Sequence, residues 1–295
     1  MKNQLALKWM IPWIGLLALF AAGMGLFYQA PGQPYPYTNH RGETVMINGS
    51  GLYYYDTLST AAQMQGNDLV TLIVGLPLLA ISAWLAMRGS FRGHLLLTGT
   101  LGFFLYTYLS MSMLTAFNAL FLVYVILFSL SLFAFILSML AFDLKTVPGY
   151  FSESLPRKSI AGLMFVVAAF LSLAWLSRIL MPLIQHQIPT LENTTTLVIQ
   201  SIDLGLIVPM AFLAGVLLLR SSAWGYLLSS VFTMKAICLG LGVSAMGINM
   251  TLKGVPDSAA IVLPFLVITL TNLVMAYFLL KNARDRQAAG SKTSA

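Results

Sequence analysis

The sequence predicts an all-α integral membrane protein of eight transmembrane helices, organised as two parallel four-helix repeats. Three observations predict it. First, 58% of the 295 residues are hydrophobic and only 8% are charged, against about 25% charged in a soluble domain. With a mean hydropathy of +0.84, such a chain cannot cover its surface with polar groups, so the lipid bilayer is its expected solvent. Second, eight apolar segments approach the roughly 20 residues that cross a bilayer. Third, basic residues gather in alternate connections.

The segments are 9–28, 69–87, 94–113, 119–142, 160–183, 196–219, 225–248 and 260–280. Their apolar runs are continuous, which excludes the alternating pattern of a β-barrel. With the N-terminus inside, the cytoplasmic side collects Lys2, Lys8, Arg88, Arg92, Lys145, Arg157, Lys158, Arg220, Lys281, Arg284, Arg286 and Lys292. The outer loops hold only Arg41 and Lys253. The excess of inner cations puts both termini in the cytoplasm of a cell membrane, and the short loops suit a bacterial inner membrane. The net charge of +7 is thereby a topology signal, and nucleic acid is not an expected partner. The first segment is longer than a cleavable signal core of roughly 7–15 residues and is read as a retained anchor.

The transmembrane domain spans 1–281, with repeats at 1–145 and 155–281, an outer loop at 29–67 and a disordered basic cytoplasmic tail at 282–295. A shift of about 132 positions superimposes Pro77 on Pro209, Arg88 on Arg220, Ser90 on Ser222 and Gly93 on Gly225. Asp68–Leu69 matches Asp203–Leu204 only after a three-residue slip. An even number of spans per half makes the repeats parallel, and transporters of this kind place their sites between repeats near the midplane. The other reading is a duplicated bundle kept for packing. Pro77 and Pro209 free backbone carbonyls inside their spans, which can be sites or tolerated kinks.

Cysteine and histidine narrow the chemistry. Cys238 is alone, which excludes thiol–disulfide exchange. His40, His94 and His186 are placed outside the hydrocarbon, which disfavours a bis-histidine haem. There is no His-Glu-x-x-His helix and no phosphate-binding glycine loop. No catalytic set and no cofactor are therefore expected.

The candidate pathway consists of polar groups at depth. Lys235 follows Gly225 by ten residues, about 15 Å along a helix, near the midplane. Asp203 lies one span away and about 10 Å further out along the axis. Asn272 and Tyr106 fall at comparable depth, and Arg178 reaches the outer interface. An ammonium in hydrocarbon costs at least about 2.5–3.5 kcal/mol, so Lys235 is expected to face the bundle near Asp203, Asn272 or the Arg178 neighbourhood. The group reads either as a pathway for a solute or protons, or as a buried ion pair that sets helix register. A lipid-facing lysine that snorkels is the third reading.

Asp56, Asp68 and Glu192 are candidates for an outer mouth, the simpler reading being solvated loop carboxylates. Met111, Met113, Met246 and Met250 would meet at equivalent outer positions if the repeat holds. Thioethers suit Cu(I), though methionine is more often a gap-filler, so no metal is expected. The outer loop carries Pro31, Pro34, Pro36, Tyr35, Tyr37 and Tyr53–Tyr55, readable as a lid or protein-partner surface or as an interfacial belt. Asn48, Asn193 and Asn249 head glycosylation sequons that would lie outside. The function expected is a small-solute or ion transporter. The alternative is a non-catalytic membrane subunit or scaffold that uses the outer loop as a partner surface.

Overall fold

A computed structural model describes residues 4–256 and 258–285. Those residues hold eight helices long and apolar enough to cross a membrane. They are α1 (Gln4–Phe27), α2 (Leu58–Met87), α3 (Phe91–Leu114), α4 (Phe121–Leu140), α5 (Arg157–Ile184), α6 (Val198–Leu219), α7 (Ala223–Leu252) and α8 (Ala259–Asn282). Between α1 and α2, an antiparallel hairpin pairs β1 (Tyr35–Thr38) with β2 (Thr44–Ile47). One end of the bundle, the hairpin end, carries β1 and β2; the other, the terminal end, holds Gln4 and Asp285.

Two helices form the centre. The most apolar window of α3 is 72% buried, whereas those of α1, α5 and α8 are 28%, 28% and 22% buried. Helix α3 packs on α2, α4 and α7, while α7 packs on α2, α3, α6 and α8. Around them, α1 lies against α2 and α4, and α5 against α6 and α8. Glycines permit the closest approach: a Cβ on Gly99 of α3 would strike the Met234 side chain and Lys235 backbone, and one on Gly66 of α2 would lie 2.7 Å from the Met246 backbone.

Helix α2 starts eleven residues before the expected segment. Its first turns, Leu58 to Asn67, are polar, and the outer loop shortens accordingly. They are helical because Thr57 caps them, its hydroxyl accepting from Thr60 N–H at 3.1 Å, and because packing against α1 and α7 buries Ala61, Ala62, Met64 and Gly66. The thirty residues of α2, like the thirty of α7, reach about 45 Å, more than the roughly 30 Å of a bilayer core.

Both halves change helix type at matching places. Thr71–Gly75 of α2 and Asp203–Ile207 of α6 are π-helical, each two residues before its proline. Proline cannot bond the carbonyl four residues back. The wider turn instead lets Leu76 N–H reach Thr71 O and Val208 N–H reach Asp203 O. Both segments are related by the same 132-residue shift, with no slip. So are the caps: Ser90 accepts from Gly93 N–H and Ser222 from Gly225 N–H, each at 3.1 Å. A Cβ on either Gly93 or Gly225 would strike the preceding helix, at Leu85 and Leu217 respectively.

Several expectations change. His94, at the start of its expected segment, lies in the first turn of α3, where it is buried, stacks on Phe142 at 3.8 Å and meets the Ser138 carbonyl at 3.0 Å. Within the expected disordered tail, Asn282–Asp285 are ordered. Arg284 N–H donates to Tyr150 O at 2.7 Å, and the Asp285 carboxylate accepts from Phe91 N–H at 2.6 Å, capping α3. Residues 286–295 lie outside the described residues. Asn48 is buried, and its amide donates to Ser50 O and Tyr53 O, so that sequon is committed to the loop's own structure.

Candidate functional site between the two halves

The site begins with a helical stripe. Gly99, Gly102 and Tyr106 are spaced by three and four residues, so they share one face of α3. The two glycines bring α7 against that face. The aliphatic stem of Lys235 runs over Gly102, whose Cβ would lie 3.7 Å from Lys235 Cγ. Its ammonium then reaches the Tyr106 ring, 4.4 Å from the centroid. An ammonium over an aromatic face gains electrostatic attraction, more so where water is scarce.

Tyr106 carries the contact across to α6. Its hydroxyl donates to Asp203 Oδ1 at 2.8 Å. Trp175 of α5 donates its indole N–H to the other oxygen, Oδ2, also at 2.8 Å. Asp203 is 5% exposed and is the first residue of the α6 π-helix. Both of its oxygens therefore have partners, although among the described residues no cation lies within 4 Å of it. Lys235 and Asp203 are joined through an aromatic ring rather than as an ion pair. The site draws on α3 from one half and on α5, α6 and α7 from the other.

The remaining expected pathway residues go elsewhere. Asn272 is buried, but its amide donates to the Thr233 carbonyl at 3.1 Å, tying α8 to α7 two residues from Lys235. Arg178 is exposed at the hairpin end of α5 and donates to Thr190 O at 3.2 Å, away from Asp203.

The outer-mouth carboxylates do not form one solvated group. Asp68 is 1% exposed and accepts from the Tyr53 hydroxyl at 2.6 Å. Asp56 is buried under the loop, accepting from Ala116 N–H at 2.8 Å. Glu192 belongs to a clasp: Thr57 donates to its carboxylate at 2.7 Å, while Asn39 and Arg41 donate to its carbonyl at 2.8 and 2.7 Å. The hairpin of the first half thereby grips the α5–α6 loop of the second. The methionines diverge as well, Met111 being buried and Met113 58% exposed.

Sequence reasoning missed Trp175 and the glycine stripe. The stripe was legible as Gly99-x-x-Gly102-x-x-x-Tyr106; Trp175 carried no such signal. An open groove of about 580 Å³ lies at the hairpin end between α5, α6 and their loop. It is lined by Gln200, Ser201, Leu204 and Gly205 among others, and so reaches the π-helical segment that Asp203 opens. Comparisons of this chain with family models, curated proteins and solved structures find no match.

Proposed function

We propose that the chain is a small-solute or ion permease of a cell membrane, with Lys235, Tyr106, Asp203 and Trp175 as its polar site. The buried polar cluster carries this reading: the Asp203 carboxyl group taken by Tyr106 and Trp175, and the Lys235 side chain over the Tyr106 ring, are groups too costly to leave facing lipid. A groove at the hairpin end reaches the π-helical turn whose first residue is Asp203. A π-turn inside a span marks functional sites more often than ordinary helix does. The matching π-turns, prolines and serine caps support two parallel repeats, with the site at their interface. The distribution of cations supports a cytoplasmic terminal end and an outward hairpin end. Reporter fusions after Arg88, Phe142 and Arg220 would then all read cytoplasmic, and a reporter active outside at any of them contradicts this orientation.

Transport is tested on the full chain in proteoliposomes on a solid-supported membrane. Currents are recorded after jumps of pH, of Na⁺ and of a zwitterionic amino acid. A current expected in the parent should vanish in Asp203→Asn and Lys235→Met and persist in Gly23→Ala, a position with open space around it. No current from any jump, or one indifferent to both site variants, rejects the reading. The scaffold alternative then gains from the hairpin, where Tyr37 and Met46 are 46% and 44% exposed, as a protein-partner surface would require.

A further inference from the structure

Loop carboxylates usually sit in water, but Asp56 does not. It is 3% exposed and immediately precedes the cap of α2. Its Oδ1 accepts from Ala116 N–H, while Oδ2 is buried with no partner. Two further buried groups lack partners in the neighbouring α3–α4 turn and the start of α4: the Asn118 amide nitrogen and the Tyr124 hydroxyl. Asn118 Oδ1 is taken by Leu120 N–H at 2.9 Å, so the free end is the NH₂. The Tyr124 hydroxyl has Tyr53, Asn118, Asp56 and Asp68 as its polar neighbours. Tyr53 in turn donates to Asp68 at 2.6 Å. Asp56 and Asp68 thus both lie near the Tyr124 hydroxyl, with Tyr53 bonded to Asp68.

The groups identify what the cluster would hold. Among the described residues, no Lys, Arg or His lies within 4 Å of either carboxylate, and a buried charge without a partner is expensive. A metal ion would neutralise it, but the buried, unpartnered Asn118 amide hydrogens beside Tyr124 repel a cation. A proton meets no such obstacle. One water bridging the three unpartnered groups would satisfy each of them, within the two to four partners that buried water takes. Burial raises the Asp56 carboxyl from 3.8 to about 7, against the opposing effect of the Ala116 N–H.

We propose that Asp56, Asn118 and Tyr124 form a proton-binding site at the hairpin end, with Tyr53 passing protons between it and Asp68. A proton from solvent water binds Asp56 Oδ2. Moving inward, it passes to the bridging water and on to the Tyr124 hydroxyl, each oxygen releasing one proton as it accepts another. Tyr53 gives its hydroxyl proton to Asp68 and regains one from Tyr124. No electrons move, Asp56 returns to the carboxylate and Asp68 becomes neutral. Packed against Asp56 are the Ala116 N–H and Tyr124, and the acidic groups nearby are Asp68, beside Tyr124, and Glu192, which accepts from the adjacent Thr57. The inference does not rest on the permease reading, because proton binding is measured without transport.

Infrared spectra of the reconstituted full chain, titrated from acid to alkaline pH, test it. With only nine carboxylates besides the C-terminus, the carbonyl stretch of a protonated acid can be assigned by substitution. A band titrating near neutrality is expected, absent in Asp56→Asn and retained in Asp143→Asn, an exposed carboxylate at the terminal end. Tyr124→Phe should keep the band and move its midpoint by about half a pH unit or more, the scale of one hydrogen bond. This variant decides the matter should Asp56→Asn fail to fold. Tyr53→Phe should shift a second band, that of Asp68. The proposal is overturned if no acid titrates near neutrality, if the band survives Asp56→Asn, or if Tyr124→Phe leaves its midpoint unmoved.

Discussion

The Lys235 ammonium stands 4.4 Å above the ring of Tyr106, and the hydroxyl of that ring donates to Asp203 at 2.8 Å. A basic and an acidic side chain on adjacent helices are thus linked through a neutral one. A direct buried ion pair would lose about 3–5 kcal/mol on removal of one partner. An aromatic bridge separates the two groups and gives each its own contact.

Double-mutant cycles should show this separation. Lys235→Met and Asp203→Asn are expected to couple by only about 1 kcal/mol, near the low end for residues sharing one network. Tyr106→Phe keeps the ring under Lys235 but strips a donor from Asp203, at a cost of roughly 1–3 kcal/mol. Unfolding in mixed detergent micelles measures all three. Full recovery of a large single-mutant loss in the Lys235→Met, Asp203→Asn double variant would instead point to a direct pair.

Gly99 sets the distance between α3 and α7. Gly99→Val should cost about 1–3 kcal/mol through overpacking and should lift Lys235 from its groove. Gly23→Ala, facing open space, should leave stability unchanged or raise it by roughly 0.5–1 kcal/mol. Equal losses at both positions would mean that helix approach at Gly99 is not the limiting contact.

The raised Asp56 carboxyl carries a pH dependence of defined sign. The folded chain holds this proton up to about pH 7, whereas the unfolded chain releases it near 3.8. Between those values the folded state binds more protons, so its stability falls as pH rises, and it levels off above about 7. Thermal scans in detergent should show this component missing in Asp56→Asn. A parent and variant with parallel pH profiles would exclude it.

The clasp at Glu192 predicts local rather than global effects. Asn39→Ala combined with Arg41→Ala removes both side-chain bonds to the Glu192 carbonyl and should speed protease cleavage within 185–197. Thr57→Ala alone removes the bond to the Glu192 carboxylate, leaves those two and also loses the α2 cap, so it should lower overall stability by about 1 kcal/mol with little added cleavage. The reverse ranking of cleavage rates would place the grip at the carboxylate.

The eight helices were legible in the chain because transfer into lipid is close to a sum over local residues. Apolar windows identify helices without knowledge of their neighbours, and matching prolines, serines and glycines flagged the places where π-turns and caps recur. Lys235, Asp203 and Tyr106 were legible as polar groups too costly to leave in lipid. Their partners were not. The polar start of α2 looked like loop because its cover is α7, not lipid, and depth alone set Asn272 level with Lys235 and Arg178 at the outer interface without deciding which of them met Lys235 or Asp203. Which groups met was decided by rotation of each helix about its axis and by the approach of α3 to α7 at Gly99. Helices apolar on nearly every face have little amphipathic signal to specify that rotation, so only tertiary packing could bring Trp175 to Asp203 and place Tyr106 between Asp203 and Lys235.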